Sequence, residues 1–129
     1  FITAREMARF GLLFLNRGRW NGRQLVPESW VAEATRVQVP ATLPWAQPES
    51  EIDGRGVYGF NWWRNGLKPD GTRKLPAAPE GTFWASGHNN NKCFVIPEWD
   101  MVIVRLGLDG KAKDEVWNGF LAKVAESLQ

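Results

Sequence analysis

The chain has 129 residues, 43% of them hydrophobic, which is enough for one domain with an apolar core. Its 16 basic and 14 acidic residues are scattered along the chain, without the basic stripe that a phosphate backbone requires, so we expect no nucleic-acid partner. The one cysteine, Cys93, excludes an intrachain disulfide. Cys93 and the one histidine, His88, are too few for a typical structural zinc site, so we expect no metal or other cofactor.

The first third of the chain has the pattern of two helices. Thr3 and Glu6 have the spacing of a capping box, and the apolar residues behind them predict a helix over 3–17. Pro27 suits the first position of a second helix, predicted over 27–35.

The rest of the chain reads as a loop, a group of strands and a last helix. Prolines and acidic residues interrupt any periodicity over 36–56, which predicts a long loop. Strands are predicted from about 57 to 106, and their short connections favour antiparallel pairing. These strands are 57–64, 82–86, 92–96 and 101–106. Asp114 is placed to cap a helix over 114–128, so we predict an α+β fold, an antiparallel sheet with flanking helices.

Two patterns of known chemistry lack their usual context. Residues 54–59 match G-x-G-x-x-G, but they follow a Pro-rich loop and run into a predicted strand, which favours a flexible strand entry over nucleotide binding. Cys93 lies beside Phe94 in an apolar strand, where a free thiol usually behaves as a small buried hydrophobe. A reactive couple of Cys93 with His88 is the alternative.

The most informative polar cluster is His88-Asn89-Asn90-Asn91, between two predicted strands. Its simplest interpretation is a β-turn, because Asn adopts left-handed conformations at little cost. An imidazole beside a strand edge with free backbone N–H groups could instead bind an anion or a developing oxyanion. From the residues alone, the turn is favoured.

Five stretches of the chain, in their order and spacing, resemble the C-terminal third of class C β-lactamase-related, penicillin-binding-protein-like serine hydrolases. They are TAREMARFG (3–11), WNGRQLVPESW (20–30), YGFNWW (58–63), SGH (86–88) and VIPEWDMVIV (95–104). The resemblance implies a C-terminal part of that fold and a parent enzyme of the β-lactamase, esterase or D,D-peptidase type that acts through an acyl-enzyme. Members of this family are often periplasmic or secreted.

The resemblance also assigns roles around His88. In the family, a serine in S-x-x-K attacks the acyl carbonyl, Y-x-N assists proton transfer, and K-T-G or H-T-G on a strand lines the other side of the cleft. The resemblance implies that His88 occupies the Lys or His position as a catalytic residue, with Asn89 at Thr and Asn90 at Gly. Asn89, Asn90 and Asn91 would then bind substrate, and the Asn91 N–H would be one oxyanion donor.

The two other motifs of the family are missing from this sequence. None of the serines at 29, 50, 86 and 127 has Lys three residues later, and Tyr58 and Asn61 are spaced Y-x-x-N. Because nucleophile, base and oxyanion donors act as a unit, we expect the chain alone to be inactive. The expected partners are a small acyl substrate of the parent enzyme (ester, amide or β-lactam), the missing N-terminal part of the same protein, and a second copy of the chain.

Two other functions fit the sequence. One is a non-catalytic module that binds peptidoglycan, a sugar or a peptide through exposed aromatic side chains such as Trp45, Trp62 and Trp63. The other is an independently folded structural domain without a site, in which His88 could be replaced without effect on turnover.

Overall fold

A computed structural model of the protein describes residues 2–46, 52–108 and 110–129. Its helices are α1 (Ala4–Leu15), α2 (Glu28–Thr35) and α3 (Asp114–Ser127). Its strands are β1 (Arg19–Trp20), β2 (Arg23–Gln24), β3 (Trp63–Arg64), β4 (Phe83–Gly87), β5 (Asn91–Ile96) and β6 (Met101–Arg105). The predicted α+β class, an antiparallel sheet with flanking helices, is confirmed.

The main sheet has the order β3-β4-β5-β6, and every neighbouring pair is antiparallel. Short turns join β4 to β5 and β5 to β6, as the sequence predicts. β1 and β2 form a separate hairpin through Asn21 and Gly22, which both have positive φ angles as a two-residue hairpin turn requires.

The start of α1 has the predicted capping box. The Thr3 hydroxyl accepts the Glu6 N–H at 3.3 Å, and the Glu6 carboxylate accepts the Thr3 N–H at 2.7 Å. The helix ends at Leu15, two residues before the predicted end at 17. Gly18, with φ +83°, then donates its N–H to Leu13 O at 2.8 Å and so completes the helix end.

Helix α2 begins one residue later than predicted, whereas α3 begins at Asp114 as predicted but without the predicted cap. Pro27 precedes α2 in an extended conformation and does not begin it. Asp114 does not cap α3, because it is the first helical residue and its carboxylate accepts a hydrogen bond from the Lys74 ammonium at 2.8 Å. Among the described residues, no helix has the length and apolar character needed to cross a bilayer.

The prediction of one strand over 57–64 is wrong, because only β3 is a strand in this stretch. Asn61 adopts a left-handed conformation with φ +60°, and the Gly59 N–H donates to Trp62 O at 2.8 Å. The chain therefore folds back on itself just before β3. Residues 36–46 and 52–56 form neither helix nor strand, as predicted, and 47–51 of the predicted loop lie outside the described residues.

The two faces of the sheet are covered by different elements. α1 packs on one face, the α1 face, so closely that a Cβ atom on Gly11 would lie 2.7 Å from Val102 and 2.8 Å from Cys93 Sγ. The apolar cluster on this face contains Phe14, Val31, Ala34, Trp62, Phe83 and Val95. Side chains at alternate positions of the strands point to opposite faces, so Cys93 and Val95 share the α1 face.

The opposite face, the α3 face, is covered by α3 and by the loop 65–80. Its cluster contains Leu75, Ala78, Trp84, Phe94, Ile96 and Leu121. The fully buried Asn65 amide pins the loop, because its Nδ2 donates to the carbonyls of Leu75, Ala78 and Pro79 and its Oδ1 accepts the Leu75 N–H. Helix α3 thus covers one face of the sheet, as the amphipathic pattern predicts.

Candidate functional site at the β4–β5 turn

The predicted turn is present, and its backbone is unusual. His88–Asn90 form a tight turn between β4 and β5, in which Asn89 and Asn90 have φ angles of +57° and +58°. Asn is one of the few residues besides Gly that adopts this region at modest cost. The run of asparagines therefore has a structural role in making the turn.

The side chains of the turn hold it against the segment before α3. The Asn90 amide donates to the carbonyls of Gly110, at 3.2 Å, and of Ala112. The Asn91 Oδ1 accepts the Gly107 N–H at 2.7 Å. These contacts fix the Asn90 side chain against residues 110–112, so it is engaged within the protein and not directed freely into solvent.

His88 and the Asn91 N–H are the groups to which the resemblance assigns chemistry. The His88 side chain is exposed at the end of β4. The Asn91 N–H donates to the carbonyl of His88 and closes the turn. This N–H could bind an oxyanion only after the turn opens, and the catalytic roles of His88 to Asn91 stay predictions.

The strand that leads into the turn has an open edge. β3 pairs only with Phe83 and Trp84, so β4 continues past it. The Asn65 N–H donates to Thr82 O at 2.9 Å, which shows that even-numbered residues of β4 direct their backbone polar groups towards β3. The N–H and C=O of Ser86 therefore point to the side where β3 has ended, and no strand of the described residues pairs with them there, which leaves them available to another extended chain.

A contact between Ser86 and Lys92 lies beside this edge. Ser86 is opposite Lys92 in the β4–β5 register, and the Lys92 ammonium donates to Ser86 Oγ at 2.6 Å. Burial lowers the pKa of the Lys92 ammonium, because it penalises the charged form. This pair was not predicted from the sequence, although a three-residue turn at 88–90 places residues 86 and 92 opposite each other.

The cysteine is part of the apolar packing, as the sequence favours. Cys93 is fully buried against α1, and its Sγ donates to Met7 O at 3.6 Å. Burial raises the pKa of the thiol to about 11. A thiol with these properties is not an activated nucleophile, which counts against a reactive couple with the exposed His88.

The G-x-G-x-x-G stretch has a packing role. It runs into the turn before β3, not into a helix N-terminus, so the context of a dinucleotide site is missing. Gly56 has φ +75°, and a Cβ atom there would collide with the Leu67 carbonyl. The motif is therefore explained by close backbone contact.

The aromatic residues proposed for a binding module differ in exposure. The expectation that Trp62 is exposed is wrong, because Trp62 is 5% exposed and packs between Phe14 and Phe83 in the α1-face cluster. Trp63 is half-buried, and Trp45 is 39% exposed with the Arg55 guanidinium 5.4 Å from its ring centroid.

This chain is similar to parts of longer known proteins. No family model matches the chain. An uncharacterised protein of Alkalihalophilus pseudofirmus is 27% identical over 105 residues, which are 81% of this chain and 29% of that protein. The chain thus spans about three tenths of the length of this curated relative.

Two solved structures resemble the chain along nearly its whole length. A "putative 6-aminohexanoate-dimer hydrolase from Bacillus anthracis" is 27% identical with a TM-score of 0.64, over 98% of this chain and 29% of that one. A "putative beta-lactamase from Bacteroides dorei" shares the fold at 14% identity with a TM-score of 0.58, over 97% of this chain and 39% of that one. The chain therefore has part of a β-lactamase-like serine hydrolase fold.

Proposed function

We propose that this chain forms one wall of the active site of a serine hydrolase that works through an acyl-enzyme, with an ester, an amide or a β-lactam as substrate. The open edge of β4 beside the His88 turn carries this proposal, since it is a polar strand edge in a fold shared with two hydrolases. The name of the Bacillus anthracis relative refers to a 6-aminohexanoate dimer and favours the amide among these substrates.

The proposed roles follow from what each group can donate or accept. The exposed His88 imidazole contacts the carboxylate or the acyl carbonyl region of the substrate, while an extended substrate lies along the free backbone groups of Ser86. Asn89 to Asn91 shape the end of this groove, and the Asn91 N–H joins the oxyanion site if its hydrogen bond to His88 O opens. The nucleophilic serine and the Y-x-N motif come from sequence upstream of this chain.

The test uses the longer protein encoded by the gene upstream of Phe1, where we expect S-x-x-K and Y-x-N. His88→Ala in that protein should lower kcat/KM for p-nitrophenyl acetate by about a hundredfold, the scale of losing a group that stabilises the transition state. Lys123→Ala, an exposed position on α3, is the control and should leave kcat/KM unchanged. Unchanged turnover in His88→Ala would contradict the role of His88 and support a structural domain without a site.

We further propose that the partner of this chain is the N-terminal part of the same protein. Among the described strands, β6 has a neighbour on one side only, so its outer edge offers unpaired backbone groups. The same edge allows self-association when the chain is alone. Light scattering should show dimers of the isolated chain and a one-to-one complex after co-expression with the upstream segment. A chain that remains monomeric in both experiments would overturn this proposal.

The second candidate is a module that binds a peptide or sugar through aromatic side chains. Trp62 is buried and cannot serve such a module. The candidate is supported instead by the exposed Trp45 and by the stacked, exposed pair of Trp30 and Phe60, whose ring centroids are 5.8 Å apart. Titration with muropeptides or chitin oligosaccharides, followed by tryptophan fluorescence, tests it. A flat response would count against this function.

A further inference from the structure

The β4–β5 turn is held by the end of β6 and by the connection from β6 to α3, of which 106–108 and 110–113 are described. The Asn90 amide donates to the carbonyls of Gly110 and Ala112. Arg105, the last residue of β6, donates from its guanidinium to the Asn89 carbonyl. We call these hydrogen bonds of Asn90 and Arg105 the turn clamp.

The backbone of the turn depends on contacts of this kind. Asn89 and Asn90 are consecutive residues with positive φ angles, +57° and +58°. A left-handed conformation costs free energy in any residue but glycine, and it persists where surrounding contacts determine it. The Asn91 Oδ1 adds a further contact to the same connection, since it accepts the Gly107 N–H at 2.7 Å. The closed turn is therefore stabilised from outside the turn itself.

Closure of the turn occupies the Asn91 N–H, which donates to His88 O. In the acyl-transfer site proposed above, this N–H is an oxyanion donor only when that hydrogen bond is open. Contacts that stabilise the closed turn therefore lower the fraction of molecules in which the donor is available. The turn clamp makes such contacts.

We propose that the turn clamp regulates this site. Through Asn90 and Arg105, the end of β6 and the connection to α3 keep the Asn91 N–H closed on His88 O, and release of the clamp makes this N–H available. Asn90 and Arg105 are positioning residues, because they act through the backbone of the turn. The inference rests on the proposed function, since it concerns the same oxyanion donor, and it adds that these contacts restrain turnover.

The first experiment measures the clamp independently of catalysis. Hydrogen exchange of the Asn91 N–H, followed by NMR in the 129-residue chain, reports how often the turn opens. Asn90→Gly and Asn89→Gly both place glycine at a positive φ, but among the described residues only the Asn90 side chain makes hydrogen bonds. Exchange should be at least about tenfold faster in Asn90→Gly than in Asn89→Gly, because two hydrogen bonds are lost. Equal exchange rates would overturn the proposal.

Variants of Arg105 test the other half of the clamp. Arg105→Met removes the donor to the Asn89 carbonyl and should also speed exchange of the Asn91 N–H, whereas Arg105→Lys keeps a charged donor and should restore most of the protection. This pair decides the question if circular dichroism shows that Asn90→Gly does not fold. Exchange at the parent rate in folded Arg105→Met would contradict the role of Arg105.

The second experiment measures turnover of p-nitrophenyl acetate by the longer protein. Asn90→Gly should raise kcat by at least about threefold with KM unchanged, because the donor is open in more molecules. Damage to the fold would lower turnover, so a rise in kcat is not a structural effect, and Lys123→Ala should leave kcat unchanged. If kcat does not rise although His88→Ala lowers kcat/KM, the regulation is overturned and the proposed function stands. If His88→Ala has no effect on turnover, the proposed function fails, and this regulation with it.

Discussion

The two faces of the sheet differ in how they are covered. On the α1 face, a helix packs directly on β5 and β6 through Gly11, and the side chains between them are apolar. On the α3 face, a helix, a loop pinned by Asn65 and an open cleft share the surface. Close packing leaves no room for a larger residue at Gly11 on the first face, whereas the second combines a buried core with polar groups that line a cleft.

Neighbouring residues of β5 show this difference most directly. Lys92 points to the α3 face and Cys93 to the α1 face. Burial disfavours the charged form of both, lowering the pKa of the ammonium and raising that of the thiol to about 11. Lys92 lines a cleft between β4 and the start of α3, whereas Cys93 is enclosed against α1.

The largest expected effect concerns the reactivity of Cys93. Because thiolates react and burial raises the thiol pKa to about 11, alkylation by iodoacetamide at pH 8 should be slower in the folded chain than in urea by at least about a hundredfold. The raised pKa also makes the folded state lose stability as the pH rises from about 9 towards 11, because the unfolded thiol ionises first. Rapid labelling of the folded chain would show that the α1 face is open.

The next effect tests the loop on the α3 face. Asn65→Ala removes an amide that makes hydrogen bonds to three carbonyls and one N–H, and it should lower the free energy of unfolding by at least about 3 kcal/mol. Asn118→Ala is the matched control, since it removes one bond to the same loop, to the Ala77 N–H, and should cost about 1 kcal/mol. Urea unfolding measures both. Equal losses would mean that Asn65 does not pin the loop.

The same substitution at two helix positions compares the packing on the two faces. Gly11→Ala places a methyl group within 2.8 Å of Val102 and Cys93, so overpacking should outweigh the gain in helix propensity and cost about 1 kcal/mol. Gly119→Ala in α3 meets no atom within 4 Å and should stabilise the chain by about 0.5–1 kcal/mol. Changes of the same sign in thermal unfolding would contradict the difference in packing.

The smallest effect concerns the start of α1. Thr3→Ala removes the side chain that accepts the Glu6 N–H and should cost about 1 kcal/mol of unfolding free energy. Thr3→Ser keeps the hydroxyl and should restore most of it. If both variants unfold like the parent chain, the capping box does not stabilise the α1 face.

The fold followed from the sequence where the signals are local. The capping box at Thr3, the antiparallel strands joined by short turns, and the apolar stripe of α3 each depend on residues close in the chain. The strand predicted over 57–64 is wrong because the chain turns at Asn61, which has a left-handed conformation, and the Phe60 N–H beside it donates to Ala34 O, a residue distant in sequence. Burial of Trp62 was missed for the same reason.

The candidate site could be predicted only in part. The turn at His88 to Asn91 follows from the conformational tolerance of asparagine, and the structure has it. The open edge at Ser86 could not be predicted, because it depends on where β3 ends. The cleft around Lys92 also needs α3 and the loop of Lys74, which are far apart in sequence.

The central claim is that this chain supplies one wall of an acyl-transfer site and no nucleophile. The most direct measurement incubates the 129-residue chain with a fluorescent penicillin and with p-nitrophenyl acetate and determines its mass. We predict no acyl adduct and no hydrolysis above the buffer rate, while the longer protein acquires one acyl group on a serine upstream of Phe1. A stable adduct on the isolated chain, above all on Ser86 beside Lys92, would contradict this account.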